Sequence, residues 1–216
     1  MTVLSLIQDL SSGMLTSVFI FAATVVFSLP LGLLVAFVRM SKVGVIRGIG
    51  KVYISILRGT PLMLQLMFVF YGPYYLFGVS LSTNYRMPAV LIGFALNYAA
   101  YFAEIYRAGI ESIDPGQYEA AQVLGYSRTQ TFIHIIFPQV IKRILPPVTN
   151  EIITLVKDTS LAFALAVTEM FTITKQIASH EASMVPYIAA AIFYYVFNLI
   201  VAFVMERIEK KLDYYK

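Results

Sequence analysis

The sequence predicts an all-α, polytopic membrane protein with about five transmembrane helices, and three observations carry that prediction. Apolar residues make up 59% of the 216-residue chain, with a mean hydropathy of +0.76. Several stretches run for membrane-crossing length with few or no charges. The lysines and arginines gather in alternate connecting segments, as they do in a multi-pass chain. Cysteine is absent, and the two histidines, His134 and His180, stand far apart. That composition excludes disulfides and thiolate metal sites and offers no histidine cluster, so no metal or cofactor is expected in this chain.

Taken in order, Thr2 to Ser12 reads as an amphipathic lead-in lying at the membrane interface, and with no basic segment before it nothing there reads as a cleavable signal. Span one, 13–39, is free of charge up to Arg39 and long enough to cross a hydrocarbon core of about 30 Å with some tilt. Span two, 52–77, carries Arg58 near its start, followed by Pro61, Gly72 and Pro73, and is expected to be irregular at both ends. Span three is 87–107, with Ala95, Ala99, Ala100, Ala103 and Ala108 as small packing residues. Span four, 140–167, is the least apolar, holding Lys142, Arg143, Glu151, Lys157 and Asp158; span five is 182–206.

Orientation follows from the basic residues. Arg39, Lys42, Arg47 and Lys51 follow span one; Arg107, Arg128, Lys142 and Arg143 lie within or beside the segment 114–138; Arg207, Lys210, Lys211 and Lys216 finish the chain. The other side has only Arg86 and Lys175. The positive-inside rule then puts the N-terminus outside and the C-terminus inside a plasma or inner membrane. Topology accounts for most of the +4 net charge, so nucleic acid is not expected as a partner.

The longest polar interruption is 114–138. Asp114, Pro115 and Gln117 predict a capped helix that Gly125 ends in a left-handed turn; Ser127 and Gln130 predict a second capping box, with Pro138 as the limit of that helix. Between these marks stand Glu119, Ala120, Ala121, Gly125, Ile135 and Pro138. The pattern resembles the cytoplasmic EAA loop of permease subunits of binding-protein-dependent ABC importers, with Phe137 where many members have Leu. The resemblance implies that Glu119, Ala120, Ala121 and Gly125 form a coupling helix that docks into an ATP-hydrolysing subunit.

Two further stretches strengthen it. Arg58-Gly59-Thr60-Pro61-Leu62, followed by Gln65, is similar to an RGTP-L motif, and Lys157-Asp158-Thr159-Ser160-Leu161-Ala162 to a KDTSLA stretch, of the polar and basic amino-acid branch of that family. The fold implied is the transmembrane domain of a type I ABC importer. The partners implied are two ATPase subunits, a second permease subunit, an external amino-acid-binding protein and the lipid bilayer, with ATP and magnesium on the ATPase subunit.

The residues themselves suggest where a substrate sits. Gly59 and Pro61 loosen the helix and free backbone groups that a neighbour, water or a ligand must satisfy. Arg58, or a helix end near Thr60, could hold an α-carboxylate; alternatively Arg58 snorkels or makes a structural ion pair. Glu151 and Asp158 are seven residues apart, hence within about 20° on one helix face and roughly 10 Å apart along it. Two acids on one face in a bilayer require a cavity, a cation or a basic partner. A basic amino acid suits them, with Asn97, Gln65 and Asn150 as further polar candidates, though the Asn97 amide could equally bind another helix; a closed network with Lys157 and Arg58 is the competing arrangement. Glu104 and Arg107 read as a structural pair or an interface feature.

No phosphate-cradling loop is present: 44–52, GVIRGIGKV, has the wrong spacing and a Val where a magnesium-binding Ser or Thr is needed. The chain is therefore expected to be no enzyme, with ATP hydrolysed by a partner. The function expected is the permease subunit of an amino-acid ABC importer, basic amino acids favoured. The alternative is a self-contained ion-coupled carrier using Glu151 and Asp158; a membrane enzyme lacks a nucleophile-base set.

Overall fold

Helix α1 (Val3–Arg39) begins at Thr2, whose side chain accepts from the Ser5 N–H, and runs unbroken through Pro30 to the Met40 cap. The expected interfacial lead-in is therefore no separate element. Nothing between Thr2 and Ser12 breaks the helix, and Leu6 and Leu10 pack into a small core with Met170 and Ala190. The computed structural model describes residues 2–212, and the described elements are all helical.

The following helices are α2 (Gly44–Gly59), α3 (Leu62–Phe77), α4 (Arg86–Glu111), α5 (Pro115–Val123), α6 (Arg128–Thr131), α7 (Phe137–Asp158), α8 (Met170–Glu181) and α9 (Val185–Leu212). A 3-10 stretch, Thr159–Leu165, continues α7. Three helices, α1, α4 with its preceding turn, and α9, are long and apolar enough to cross a membrane. A fourth crossing exists if α2 and α3 are counted together, but they are bent by 111°. The irregularity expected near the start of span two is thus a full break at Thr60–Pro61, while at the other end α3 runs through Pro73 to Phe77. Helix α7 falls outside that count because its charged residues interrupt the apolar run.

Helix α1 is exposed on most of its surface and buried along one stripe: Leu6, Leu10, Gly13, Ser17, Ile20, Thr24, Ser28, Gly32 and Ala36. The steps of three and four place these residues on one face. The small Gly13, Ser17, Thr24, Ser28, Gly32 and Ala36 among them let backbones approach closely, which in lipid replaces the hydrophobic drive available in water. A Cβ built on Gly32 would lie 2.8 Å from the Phe102 Cβ, and one on Gly13 would lie 2.7 Å from the Met170 Cα. Across the seam, Ala95, Ala99, Ala100 and Ala103 of α4 are buried as expected, while Ala108 is exposed.

The main core joins Ile20 of α1, Leu66 and Phe70 of α3, Phe94, Tyr98 and Phe102 of α4, and Ile152, Leu155 and Val156 of α7. The outer faces of α1, α3 and α9 present Phe27, Leu34, Phe68, Phe77, Ile192, Ile200 and Phe203 to the surroundings. Such faces suit lipid, because the backbone polar groups beneath them are closed within helices.

The polar segment folds largely as its punctuation predicts. Asp114 caps α5 by accepting from the Gly116 N–H at 2.7 Å, and Ser127 and Gln130 form a reciprocal capping box. Gln117 does not complete a box at α5; its side-chain oxygen instead accepts from Gln139 at 3.4 Å. Gly125 has φ +81°. The bonds Gly125 N to Gln122 O and Tyr126 N to Ala121 O make a Schellman closure.

Pro138 does not end the second helix. A π turn at Phe132–Ile136 feeds directly into α7, with the Phe137 N–H bonded five residues back to Phe132. The wider turn shifts the ladder just where Pro138 brings no N–H and a bulky ring, so the helix passes through it.

Replacing Gly13 or Gly32 with Val is expected to cost about 1–3 kcal/mol by overpacking the seam. Gly48→Ala, where a Cβ meets nothing within 4 Å, is expected to be neutral or slightly stabilising. Thermal unfolding of the three variants in one detergent checks this.

Candidate functional site

The site is built at the break between α2 and α3. In an unbroken helix the N–H of residue 61 would bond the carbonyl of Leu57, but Pro61 has no N–H. The orphaned Leu57 oxygen accepts instead from the side-chain amides of Asn97, at 3.1 Å, and Gln65, at 2.9 Å. Gln65 also donates to the Thr60 carbonyl at 3.0 Å and the Thr60 hydroxyl at 2.8 Å, and its oxygen accepts from Asn97 at 2.9 Å. The two amides therefore close the broken ladder. This is the neighbour's role in the choice between neighbour, water and ligand.

Beside the break lies a cavity of about 290 Å³. Thr60, Pro61 and Leu62 form one wall, Asn97, Tyr98 and Tyr101 of α4 a second, and Glu151, Thr154 and Asp158 of α7 a third, with Leu161 at the end. Glu151, Thr154 and Asp158 sit at steps of three and four, so the helical spacing does bring both acids to one cavity. The start of α3 opens onto the same space: the Leu64 N–H already bonds the Pro61 carbonyl at 3.1 Å, while those of Leu62 and Met63 precede the helical ladder.

The acids are held differently. The Tyr98 hydroxyl donates to Asp158 Oδ2 at 2.8 Å. Glu151 makes no hydrogen bond or salt bridge among the described residues, and neither acid is paired with Lys157 or Arg58 there. The closed charge network is thus not what the side chains form. An acceptor-only group half-withdrawn from water and left without a donor is a site for a cation or hydrogen-bond donor.

The other expected residues fall elsewhere. Arg58 lies over the ring of Tyr101, its Cζ 5.1 Å from the centroid, and faces an adjacent cavity. Gln65 lines an apolar cavity on the far side of the break, with Tyr53 and Phe68. Asn150 is exposed on another face of α7. Glu104 and Arg107 do form the expected pair, and Arg107 reaches Glu111 as well.

Tyr98, Tyr101, Thr154 and Leu161 are the lining residues that sequence reasoning missed. The available signal was spacing: Tyr101 is four residues after Asn97 on α4, and Thr154 lies on the stripe joining the two acids. Tyr98 is 2% exposed, stacked on Phe94 and tilted against Phe102, which fixes the ring that orients Asp158.

On the polar segment, Glu119 and Ala120 are exposed, but Ala121 is 1% exposed and faces inward beneath the Gly125 turn. Around them Tyr118, Val123, Leu124, Tyr126, Ile133 and Phe137 are exposed, with Val123 at 88%. An apolar patch on a charged loop marks a contact surface.

Comparison with known proteins gives a consistent result. Residues 28–214 match the family model described as the binding-protein-dependent transport system inner membrane component. The chain is 37% identical over 208 residues to the L-cystine transport system permease protein TcyB of Bacillus subtilis, covering 95% of this chain and 87% of that one. It is 37% identical over 190 residues to the putative glutamine transport system permease protein GlnP of Rickettsia bellii, covering 87% and 85%. A solved amino acid ABC transporter with histidines superposes with a TM-score of 0.86 at 32% identity, covering 98% of this chain and 100% of that one. The inward-facing MetNI methionine ABC transporter shares the fold with a TM-score of 0.72 at 16% identity, covering 98% and 99%.

Asn97→Leu removes two bonds at the break and is expected to lower stability by about 1–3 kcal/mol. Asn150→Ala, on the exposed face, is expected to stay within about 0.5 kcal/mol. Chemical unfolding in mild detergent distinguishes them.

Proposed function

Because this chain belongs to the family of inner membrane components of binding-protein-dependent transport systems, and is therefore a multi-pass membrane protein, we propose that it is the permease subunit of an ATP-driven amino-acid importer that favours basic amino acids. The observation that carries this reading is the cavity at the α2–α3 break, which faces two acids of α7 that have no basic partner among the described residues. In the proposed complex the amino acid's cationic side chain meets Glu151 and Asp158. Its α-carboxylate lies beside Thr60–Leu62 at the start of α3, where the N–H groups of Leu62 and Met63 and the helix dipole favour an anion. Asn97 and Gln65 act indirectly by holding that turn in place, and Arg58 and Asn150 act outside the pocket.

The relatives' printed names, cystine and glutamine, support amino acids as a class. The preference for basic ones rests on the two acids and on the similarity to the transporter solved with histidines. The remaining parts follow the family. Five spans, with α7 as the fourth, place the N-terminus outside and the α5 segment in the cytoplasm. Two ATPase subunits supply ATP hydrolysis with magnesium, a second permease subunit completes the pathway, and an external binding protein delivers the substrate. The exposed Val123 and Leu124 at the end of α5 supply the apolar contact for an ATPase groove, while Glu119 and Ala120 face it and Ala121 with Gly125 sets the helix end. Family membership removes the ground for a self-contained carrier.

Uptake of arginine by the reconstituted complex is expected to fall about tenfold or more for Glu151→Gln and for Asp158→Asn, since a charge-assisted hydrogen bond is worth about 1.5–3 kcal/mol. Unchanged uptake and unchanged preference for arginine over glutamine in both variants rules the basic-substrate reading out. Gly125→Val places a β-branched residue at φ +81°, a strain of about 1–2 kcal/mol. It is expected to reduce substrate-stimulated ATP hydrolysis while arginine binding by the external protein is untouched.

A further inference from the structure

Next to the pocket lies a second cavity of about 330 Å³, and the two share two lining residues, Tyr101 and Glu151. The sharing has a regular basis. On α4 the pocket takes Asn97, Tyr98 and Tyr101, and the second cavity continues through Tyr101, Ile105, Ala108 and Ser112. On α7 the pocket takes Asp158, Thr154 and Glu151, and the second cavity continues through Glu151, Pro147 and Arg143. From Tyr98 through Tyr101, Ile105 and Ala108 to the Ser112 cap, and from Asp158 back to Arg143, both series advance by three or four residues, so each follows one face of one helix. The cavities are stacked along the α4–α7 seam toward the end that carries α5.

Tyr101 stands at the junction and is held differently from its neighbours. Tyr53, Tyr98 and Tyr106 each donate a hydroxyl to a fixed acceptor, the Leu96 carbonyl, Asp158 and the Leu29 carbonyl. Tyr101 makes no hydrogen bond among the described residues; its ring lies tilted against Tyr98, centroids 6.2 Å apart, and under the Arg58 guanidinium, 5.1 Å from the centroid. A cation–π contact of this kind is worth about 0.5–2 kcal/mol, enough to bias a ring and too little to lock it. Arg58 itself is in the last turn of α2, just before the 111° bend. Any change of that bend moves the guanidinium relative to α4.

We propose that Tyr101, clamped by Arg58, is the movable partition that closes the amino-acid pocket toward the second cavity, and that this cavity is the substrate's way out. Glu151 faces both sides of the partition and can accompany a cationic side chain past it. Arg58, which makes no salt bridge among the described residues, is left to face that acid once the cation has gone. The proposal rests on the pocket being the amino-acid site, and it adds an exit and the residue that governs it.

The chain has no cysteine, so single-cysteine labelling has no background. In the assembled complex in membrane vesicles, an impermeant maleimide is applied on the α5 side to Ala108→Cys, in the second cavity, and to Leu161→Cys, in the pocket. Ala108→Cys is expected to react at one rate whatever occupies position 101. Leu161→Cys is expected to react slowly with Tyr101 or with Tyr101→Phe, and about tenfold faster with Tyr101→Ala or Arg58→Gln, as when a minor open state becomes a major one. Equal rates for Leu161→Cys across those backgrounds overturn the partition. Arg58→Gln keeps every α4 packing group, so it carries the test if Tyr101→Ala fails to assemble. Protection of Leu161→Cys by arginine reads the pocket separately: its absence overturns the amino-acid site, while the rate comparison reads the partition by itself.

Discussion

One missing hydrogen atom organises much of this molecule. Pro61 cannot donate to Leu57, and in a bilayer an orphaned carbonyl has no water to turn to. Asn97 and Gln65 take that oxygen, and in doing so they tie α2, α3 and α4 to one point. The chain can then turn by 111° without leaving the backbone unsatisfied. The turn opens the first turn of α3 onto a cavity that a straight helix would not make. Pocket, hinge and the guanidinium of Arg58 all lie within a few residues of this break.

The acids of α7 depend on the same arrangement. Two carboxylates on one helix face are costly in an apolar medium, and a closed ion-pair network would remove the cost and the function together. Here Asp158 is oriented by a tyrosine that is itself packed between aromatic rings, and Glu151 remains without a donor. A neutral hydroxyl positions an acid without neutralising it, which leaves charge available for a cationic ligand. The small-residue seam between α1 and α4 supports this indirectly. It brings α4 close enough to the rest of the bundle to bury Tyr98 and Phe102.

The polar segment shows how local chemistry and tertiary context divide the work. The Gly125 turn and the Ser127–Gln130 box could be read from residue types because each satisfies groups within a few positions along the chain. The path through Pro138 could not, since whether a proline ends a helix or is carried through a π turn depends on what the helix packs against. Ala121 likewise belongs to the small-residue motif by sequence, yet packing assigns it to the inside of the turn while Val123 and Leu124 face outward.

What the sequence determined by itself was what local composition and periodicity control: a helical membrane protein, a break near Pro61, a capped polar loop, and two acids seven residues apart sharing one face. Those follow from backbone valence, the 3.6-residue turn and the exclusion of charge from lipid, which act wherever the residues are. Only the tertiary structure decided that Asn97 and Gln65 serve the backbone, that Arg58 lies over Tyr101 rather than in the pocket, that Asn150 points away, and that Tyr98 orients Asp158. A side-chain amide or guanidinium has several possible partners of similar strength. Which one it meets is set by distant segments that the packing of helices brings within reach.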